Sequence, residues 1–434
     1  MVRLDAVTER IRSSLFFVPM AFVVASVVLA LVSIVVDKRL VTNGTELPLG
    51  LTSTVDSARA VLSTVAGATI TFAGIAFSVS LLLIQQASSQ YSPRVVHGLF
   101  RDPFNKRIMG VVVGTFTFCL VVLRSVRGSL EEDGSPVIPN LSVGLAVVFG
   151  LISILSIVAF INHSAHSMDV SNILANVTAE AKDTVRSQWR SPDSESFDDD
   201  PVPDGPDDDD LVVVLDQDGW IQQVDLHALS LASDPGGTVL LSIAVGRYAI
   251  SGTPLCSIRP VPHDRDESIR CARSSVVIGD TRTMQQDVGY GLRQLADVAL
   301  KALSPGINDP TTAQDALFHL GSVLHEALEH RPPRRRQSMD DDRVLLLPEA
   351  TTHRDLVNLA FDEVRLAARG LPRVCLYLLE LISLIDESLG DVITDDAREA
   401  LRSQARLIRD GADGADLSDH DRRRVTDAWE QRFG

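Results

Sequence analysis

Long uncharged stretches fill the first part of the chain, whereas charged and apolar positions alternate through the remainder. A helix of about 20 apolar residues crosses a hydrocarbon core of about 30 Å. Three stretches meet this requirement, at about 13–36, 60–84 and 141–162. The stretch at about 108–124 is short, but the long side chains of Lys106, Arg107 and Arg124 can extend to the two interfaces, so it is also predicted to span the membrane. Residues 1–165 are therefore predicted to form a four-span transmembrane domain.

Charges in the connecting loops predict the orientation of these spans. The loop between the second and third spans is basic, with Arg94, Arg101, Lys106 and Arg107. The loop after the third span is acidic, with Glu131, Glu132 and Asp133. Because loops rich in Lys and Arg stay on the cytoplasmic side, both termini are expected in the cytoplasm.

The rest of the chain is expected to be a cytoplasmic α+β domain. Residues 166–190 keep one apolar helical face and are predicted to project as a helical stalk. Residues 191–210 contain ten acids, four prolines and no basic residue, which predicts an acidic linker. Strand-like runs then predict a small β-rich unit at 211–278, and helical periodicity predicts a helical bundle at 279–434.

The second span carries a stripe of small and hydroxyl residues at intervals of three and four. Two interpretations of this stripe remain open: a surface for close helix packing, or the wall of a water-filled path in an oligomer. Beyond the apolar part, polar side chains continue the stripe toward the cytoplasm. The residues concerned are Thr64, Gly67, Thr71, Gly74, Ser78, Gln85, Ser88 and Ser89.

A sharp corner between two helices is predicted at Ser304-Pro305-Gly306, where an amphipathic helix stops. The next helix begins after Asn308, with Asp309 as its N-cap and Pro310 at its first position. Backbone N–H groups at such a start could bind an anion. The carboxylate of Asp309 would occupy that position, so a rigid corner is the preferred interpretation.

Three titratable residues share a helical face at the cytoplasmic end of the fourth span. His163, His166 and Asp169 have a spacing that suits a cation site or a pH sensor, although interfacial polar residues are the commoner explanation. His325 and His330 lie five residues apart, which places them about 140° apart around a helix and does not suit one zinc ion.

Composition narrows the classes of function. The net charge of -17 argues against nucleic acid as a partner, since phosphate backbones require clustered Lys and Arg. Four dispersed cysteines suggest neither a zinc motif nor a disulfide framework. No metal, cofactor or enzymatic activity is expected, because the sequence holds no phosphate-binding loop or recognisable catalytic constellation.

Three segments, QASSQYSPR at 86–94, GTF at 114–116 and ALSPGINDP at 302–310, resemble an uncharacterised bacterial family. That family is known as predicted membrane proteins, domain of unknown function 2254. The resemblance spans nearly the whole chain and implies a four-span bacterial membrane protein. The location expected for it is the bacterial cytoplasmic (inner) membrane. It brings no activity, cofactor or catalytic residue to transfer.

Two functions are compared on these grounds. The first is an oligomeric ion channel or transport-related protein, in which the second span lines the path of a homo-oligomer. The alternative is a membrane-anchored sensor or scaffold that binds a cytosolic protein through its C-terminal domain. The polar continuation of the second span favours the channel.

Overall fold

The computed structural model describes residues 17–42, 54–90, 103–126, 139–167, 169–191, 207, 209–348 and 351–434 of the 434-residue chain. The chain divides into two compact units at the boundary between Asp169 and Val170. The first unit is helical, and the second combines strands with helices.

Within its described residues, the first unit consists of four helices: α1 (Phe17–Thr42), α2 (Val55–Gln90), α3 (Pro103–Ser125) and α4 (Asn140–Ser167). Each contains a segment long and apolar enough to cross a membrane, namely Phe17–Leu40, Val55–Leu82, Pro103–Ser125 and Asn140–Ser164. The predicted number and order of candidate spans is therefore confirmed.

The third candidate span, which the sequence makes the shortest, lies at the centre of the first unit and packs against α1, α2 and α4. Its side chains Phe118 and Val122 form a buried cluster with Leu62 of α2 and Val143 of α4. The hydroxyl of Ser153 on α4 donates to Thr115 Oγ1 at 3.0 Å. The shortest span is thus the one that the other three helices surround most completely.

Glycines on α3 allow α1 to approach closely. A Cβ atom at Gly110 would lie 2.6 Å from the ring of Phe22, and one at Gly114 would lie 2.7 Å from Ser26 Oγ. Small residues serve this purpose in membrane helices because they let two backbones come together.

The second unit begins with α5 (Val170–Gln188). Its strands are β1 (Leu211–Val214), β2 (Gly219–Val224), β3 (Thr238–Leu241), β4 (Tyr248–Ala249), β5 (Pro254–Arg259), β6 (Val276–Gly279), β7 (Arg336–Ser338) and β8 (Val344–Leu346). Its further helices are α6 (Leu226–Ser230), α7 (Arg265–Ser274), α8 (Val288–Ala302), α9 (Pro310–Glu329), α10 (His353–Ala368), α11 (Pro372–Leu389), α12 (Asp395–Asp413) and α13 (Asp419–Phe433).

The strands form two sheets, one in the order β1-β5-β3-β8-β7 and one in the order β4-β2-β6. β8 pairs in parallel with β3, so the larger sheet takes two strands from chain that follows α9. Asp341 and Asp342, both with φ near +57°, form the tight turn between β7 and β8. The sheet therefore extends beyond 211–278, because a short hairpin far along the sequence pairs with its third strand.

Helix α5 packs against α8 and α9 instead of projecting from the unit. Its apolar face, which includes Leu174, Val177 and Val185, is buried. Gly291 of α8 allows close contact with Ala181, since a Cβ atom there would lie 2.4 Å from the Ala181 side chain. The structure thus differs from the expected stalk: the apolar face required a partner, and the sequence pattern did not specify which helices would cover it.

Candidate functional site

Helix α2 presents two opposite faces. One face packs against α3 and α4 and buries Ala58, Leu62, Ala66, Thr69 and Ala76. At about 100° per residue, the stripe predicted from the sequence falls on the other side of the helix. All five of its members within the candidate span, Thr64, Gly67, Thr71, Gly74 and Ser78, are exposed in the isolated chain.

The glycines of the stripe have no close neighbour within the described chain. A Cβ atom at Gly67 or Gly74 would meet nothing within 4 Å, in contrast to Gly110, Gly114 and Gly150. At Gly150 of α4, for example, a Cβ would lie 3.1 Å from Val65. Packing inside the protomer therefore accounts for the glycines of α3 and α4 but not for those of the stripe.

The hydroxyl groups of the stripe bond to their own helix. Thr64, Thr71 and Ser78 donate to the carbonyl oxygens four residues earlier, at 2.7, 2.8 and 2.9 Å. A hydroxyl that is already bonded costs little to bring into an apolar environment, and it still has lone pairs that can accept from water. The stripe is chemically suited to contact with a second helix as well as to a wet surface.

Polar side chains continue α2 beyond Leu82, where its candidate span ends. Gln85 lies on the same helical face as the stripe, and both Gln85 and Gln86 are exposed. Ser88 and Ser89 fall within the helix, but their side chains lie outside the described residues. Over its 36 residues α2 is about 54 Å long, which exceeds the hydrocarbon thickness of about 30 Å.

The residues of the predicted group at the end of α4 make several contacts with neighbouring residues. His163 lies against Phe104 of α3, with ring centroids 4.4 Å apart. His166 Nδ1 lies 2.8 Å from the carbonyl oxygen of Asn162, and the backbone N–H of Asp169 donates to the carbonyl of His166. Two of these contacts, those of His166 and Asp169, are hydrogen bonds with neighbouring backbone at the end of α4.

The corner between α8 and α9 is closed by its own hydrogen bonds. The backbone N–H groups of Ile307 and Asn308 donate to Ser304, and that of Asp309 donates to the carbonyl oxygen of Ala302 at 2.8 Å. Asn308 has a φ of 49°, which turns the chain into α9. Pro305 and Gly306 lie exposed at the tip, and Pro310 is at the start of α9.

Asp309 caps α9 through both carboxylate oxygens. Oδ1 accepts from the backbone N–H groups of Thr311 and Thr312 at 3.1 Å, and Oδ2 accepts from the Thr312 hydroxyl at 2.6 Å. The hydrogen bonds from Thr312 hold the pKa of Asp309 below its usual range. The carboxylate occupies the position that an external anion would require, which favours a structural role for this corner.

One group of acidic and histidine side chains within the described residues is close enough to share a metal: Glu326, Glu329 and His330, with ligand atoms within 4.8 Å of one another. Arg186 of α5 donates two hydrogen bonds to Glu326, at 2.7 and 3.1 Å, and Lys182 lies 3.7 Å away. Burial alone would raise the pKa of Glu326, but these cations outweigh it and lower the pKa. The same positive charges oppose a bound metal ion.

Comparison with known families agrees with this architecture. The family model described as predicted membrane protein (DUF2254) matches residues 12–383. The chain belongs to this family. The match covers all four candidate spans and runs through the α8–α9 corner into α11.

Similar chains occur in mycobacteria. An uncharacterized protein of Mycobacterium tuberculosis strain H37Rv is 31% identical over 380 residues, which cover 86% of this chain and 71% of the relative. An uncharacterized protein of Mycobacterium bovis has the same identity and coverage. No solved structure matches the chain.

A buried carboxylate among the described residues of the first unit was not recognised as a site in the sequence. Asp37 is 4% exposed, and its two oxygens accept from the backbone N–H groups of Leu141 and Ser142 at 2.9 and 3.0 Å. The Ser142 hydroxyl donates to it at 2.6 Å. An acid beside Lys38 and Arg39 resembles an ordinary helix flank, so only the tertiary contact reveals that it caps α4.

Proposed function

We propose that several copies of this chain assemble in the membrane through α2 and enclose a path for small ions. The exposed stripe, which lies opposite the face that α2 uses within its own unit, carries this proposal. A path is proposed at the contact between copies because α3 fills the centre of the four described helices.

The cost of the glycines supports a contact between copies. A glycine inside a helix is less favourable than alanine by about 1 kcal/mol, because it retains more backbone freedom when unfolded. Neither Gly67 nor Gly74 is required by a neighbour within the described chain. Close approach of another copy would explain why glycine occupies these two positions.

We further propose that the assembly lies in the bacterial cytoplasmic membrane with both termini inside. The basic loop between α2 and α3 supports this orientation, because excess Lys and Arg remain on the cytoplasmic side. Gln85 then marks the cytoplasmic mouth of the path, and the α+β unit lies in the cytoplasm. No catalytic chemistry is proposed for it.

Planar bilayers containing the purified full-length chain test the path. We expect discrete currents from the wild type, and severalfold smaller or absent currents from two variants. Gly74→Leu should separate the copies that form the path, and Ser78→Leu should narrow the path itself. Phe77→Leu is the matched control: Phe77 is 56% exposed but off the stripe, so its currents should equal those of the wild type. Equal currents from all three variants would contradict the proposal.

Cysteine accessibility separates a wet path from a dry contact. In a Cys271→Ser background, which removes the cysteine that is only half-buried, Thr71→Cys and Ser78→Cys should react with a charged, water-soluble thiol reagent. Phe77→Cys should not react, because it faces lipid. If the introduced cysteines cross-link two copies but do not react with the reagent, the oligomer is supported and the water-filled path is contradicted.

A membrane-anchored scaffold is the second candidate. It is favoured by large apolar side chains on the surface of the α+β unit, where Tyr248 and Ile250 are 54% and 64% exposed. Well-folded wild-type protein that stays silent in bilayers under several ions and tensions would favour this function. A truncation that tests it should end before Val170, because α5 would otherwise lose the helices that cover its apolar face.

A further inference from the structure

A buried histidine lies where four helices of the second unit meet. His353 is the first residue of α10 and is 6% exposed. Its Nε2 is 2.9 Å from the carbonyl oxygen of His330 at the end of α9, and its Nδ1 is 3.3 Å from the hydroxyl of Thr394, the N-cap of α12. The indole of Trp189, which follows α5, packs against the imidazole with centroids 5.4 Å apart.

These contacts satisfy a neutral imidazole. The carbonyl oxygen of His330 can only accept, so Nε2 carries a proton and donates to it. Nδ1 then accepts from the Thr394 hydroxyl. An imidazolium would place a second proton and a full charge beside the starts of α10 and α12, where the helix dipoles already contribute partial positive charge.

Charged groups on the surrounding elements include acids, which favour a positive charge on the imidazole, and bases, which oppose it. They are Arg190 after α5, Glu326, Glu329, His330 and Arg331 at the end of α9, Arg354 and Asp355 on α10, and Asp395 and Asp396 on α12. Asp396 is paired with Arg354 at 2.6 Å, and Asp355 belongs to the capping box of α10. Glu326 is held by Arg186. Three of these acids, Asp355, Asp396 and Glu326, therefore already have partners of their own.

Burial lowers the pKa of His353 below its ordinary value. The carbonyl oxygens of His330 and Ala327 and the carboxylate of Asp396 oppose this effect, and Arg331 reinforces it. Arg331 is fixed nearby because its backbone pairs with that of Arg190 through hydrogen bonds of 2.8 and 3.0 Å.

We propose that His353 makes this junction sensitive to protons, such that an imidazolium releases Trp189 and the end of α5 from the starts of α10 and α12. Two residues separate α5 from α4, the last candidate span. This inference does not depend on whether the protein conducts ions.

The direction of the pH dependence follows from the lowered pKa. The contribution of His353 to the junction is fully present above about pH 6.5, the ordinary value for an unfolded histidine. This contribution is lost as the pH falls toward the lowered pKa that His353 has in the closed junction, because the released junction binds the proton more tightly. The ratio of released to closed junction rises by up to about tenfold per pH unit within that range.

Hydrogen exchange of the full-length chain in lipid nanodiscs tests the proposal between pH 7.5 and 5.5. After correction for intrinsic rates, we expect exchange in the last turn of α5 to accelerate by up to about tenfold per pH unit below about 6.5. His353→Gln, whose amide can still donate and accept, should exchange like wild type at pH 7.5 and lose the acceleration. His263→Gln is the control, since the side chain of His263 is fully exposed, and it should keep the acceleration.

Tryptophan emission gives a second measurement that needs no substitution at 353. Wild-type emission should change reversibly over the same pH range, because release moves the buried indole of Trp189 into water, and Trp189→Phe should lack that component. Persistence of the acceleration in His353→Gln, or a wild type without any transition in either measurement, would overturn the proposal.

Discussion

Single buried polar residues define the contacts that hold the helices in place. Asp37 of α1 accepts hydrogen bonds from two backbone N–H groups at the start of α4, and Glu326 of α9 pairs with Arg186 of α5. Each joins two helices that are far apart along the chain. Their effect on stability should exceed that of equally charged residues at the surface, because a buried group left without its partner bears the full cost of desolvation.

Replacement of Asp37 tests this at the residue scale. Asp37→Ala should lower the free energy of unfolding in mixed micelles by about 1–3 kcal/mol, because two backbone N–H groups and one hydroxyl lose their acceptor. Asp56→Ala is the matched control, since Asp56 is exposed in the first turn of α2 and should contribute less than about 1 kcal/mol. Equal losses in the two variants would show that Asp37 is not a cap.

At the scale of elements, glycines distinguish contacts within the protomer from the surface proposed for assembly. Gly110 of α3 is packed against Phe22, whereas Gly74 of α2 has open space around it. The same substitution should therefore have opposite effects at the two positions.

We expect Gly110→Ala to destabilise the monomer by about 1–3 kcal/mol, because the added methyl group meets the Phe22 ring. Gly74→Ala should stabilise the monomer by up to about 1 kcal/mol through helix propensity alone. Unfolding of both variants in detergent, at concentrations where the chain is monomeric, measures the difference. The same sign in both would show that the stripe is packed within one chain.

Gly74→Ala should also weaken association in lipid, where the added methyl group separates two copies of α2. Energy transfer between labelled chains in nanodiscs or vesicles would detect this. Association as strong as that of the wild type would place the contact on another face.

For the whole molecule, the orientation in the membrane is the property that most affects the proposed function. Asn43→Cys, between α1 and α2, should react in intact cells with a thiol reagent that cannot cross the cytoplasmic membrane. Ser191→Cys, after α5, should react only once the cells are lysed. Labelling of Ser191→Cys in intact cells would show that the topology is the reverse of the proposed one, with the α+β unit outside the cell.

The sequence by itself determined the features that depend on neighbouring residues. Long apolar runs specify four candidate spans, and the order Asp309-Pro310 specifies a capped helix start, because a span and a cap are both decided within a few turns of chain. The stripe on α2 was visible for the same reason, as a repeat of three and four along one helix.

The tertiary structure decided which surfaces these elements share. Only folding shows that the stripe lies opposite the buried face of α2, that α5 packs against α8 and α9, and that β8 joins β3 across about a hundred residues of sequence. The cap at Asp37 and the junction at His353 likewise join groups that lie far apart along the chain. Hydrophobic periodicity indicates that the apolar face of a helix or strand must be buried. Which element buries it depends on packing and hydrogen bonding between distant segments, and no local pattern specifies these.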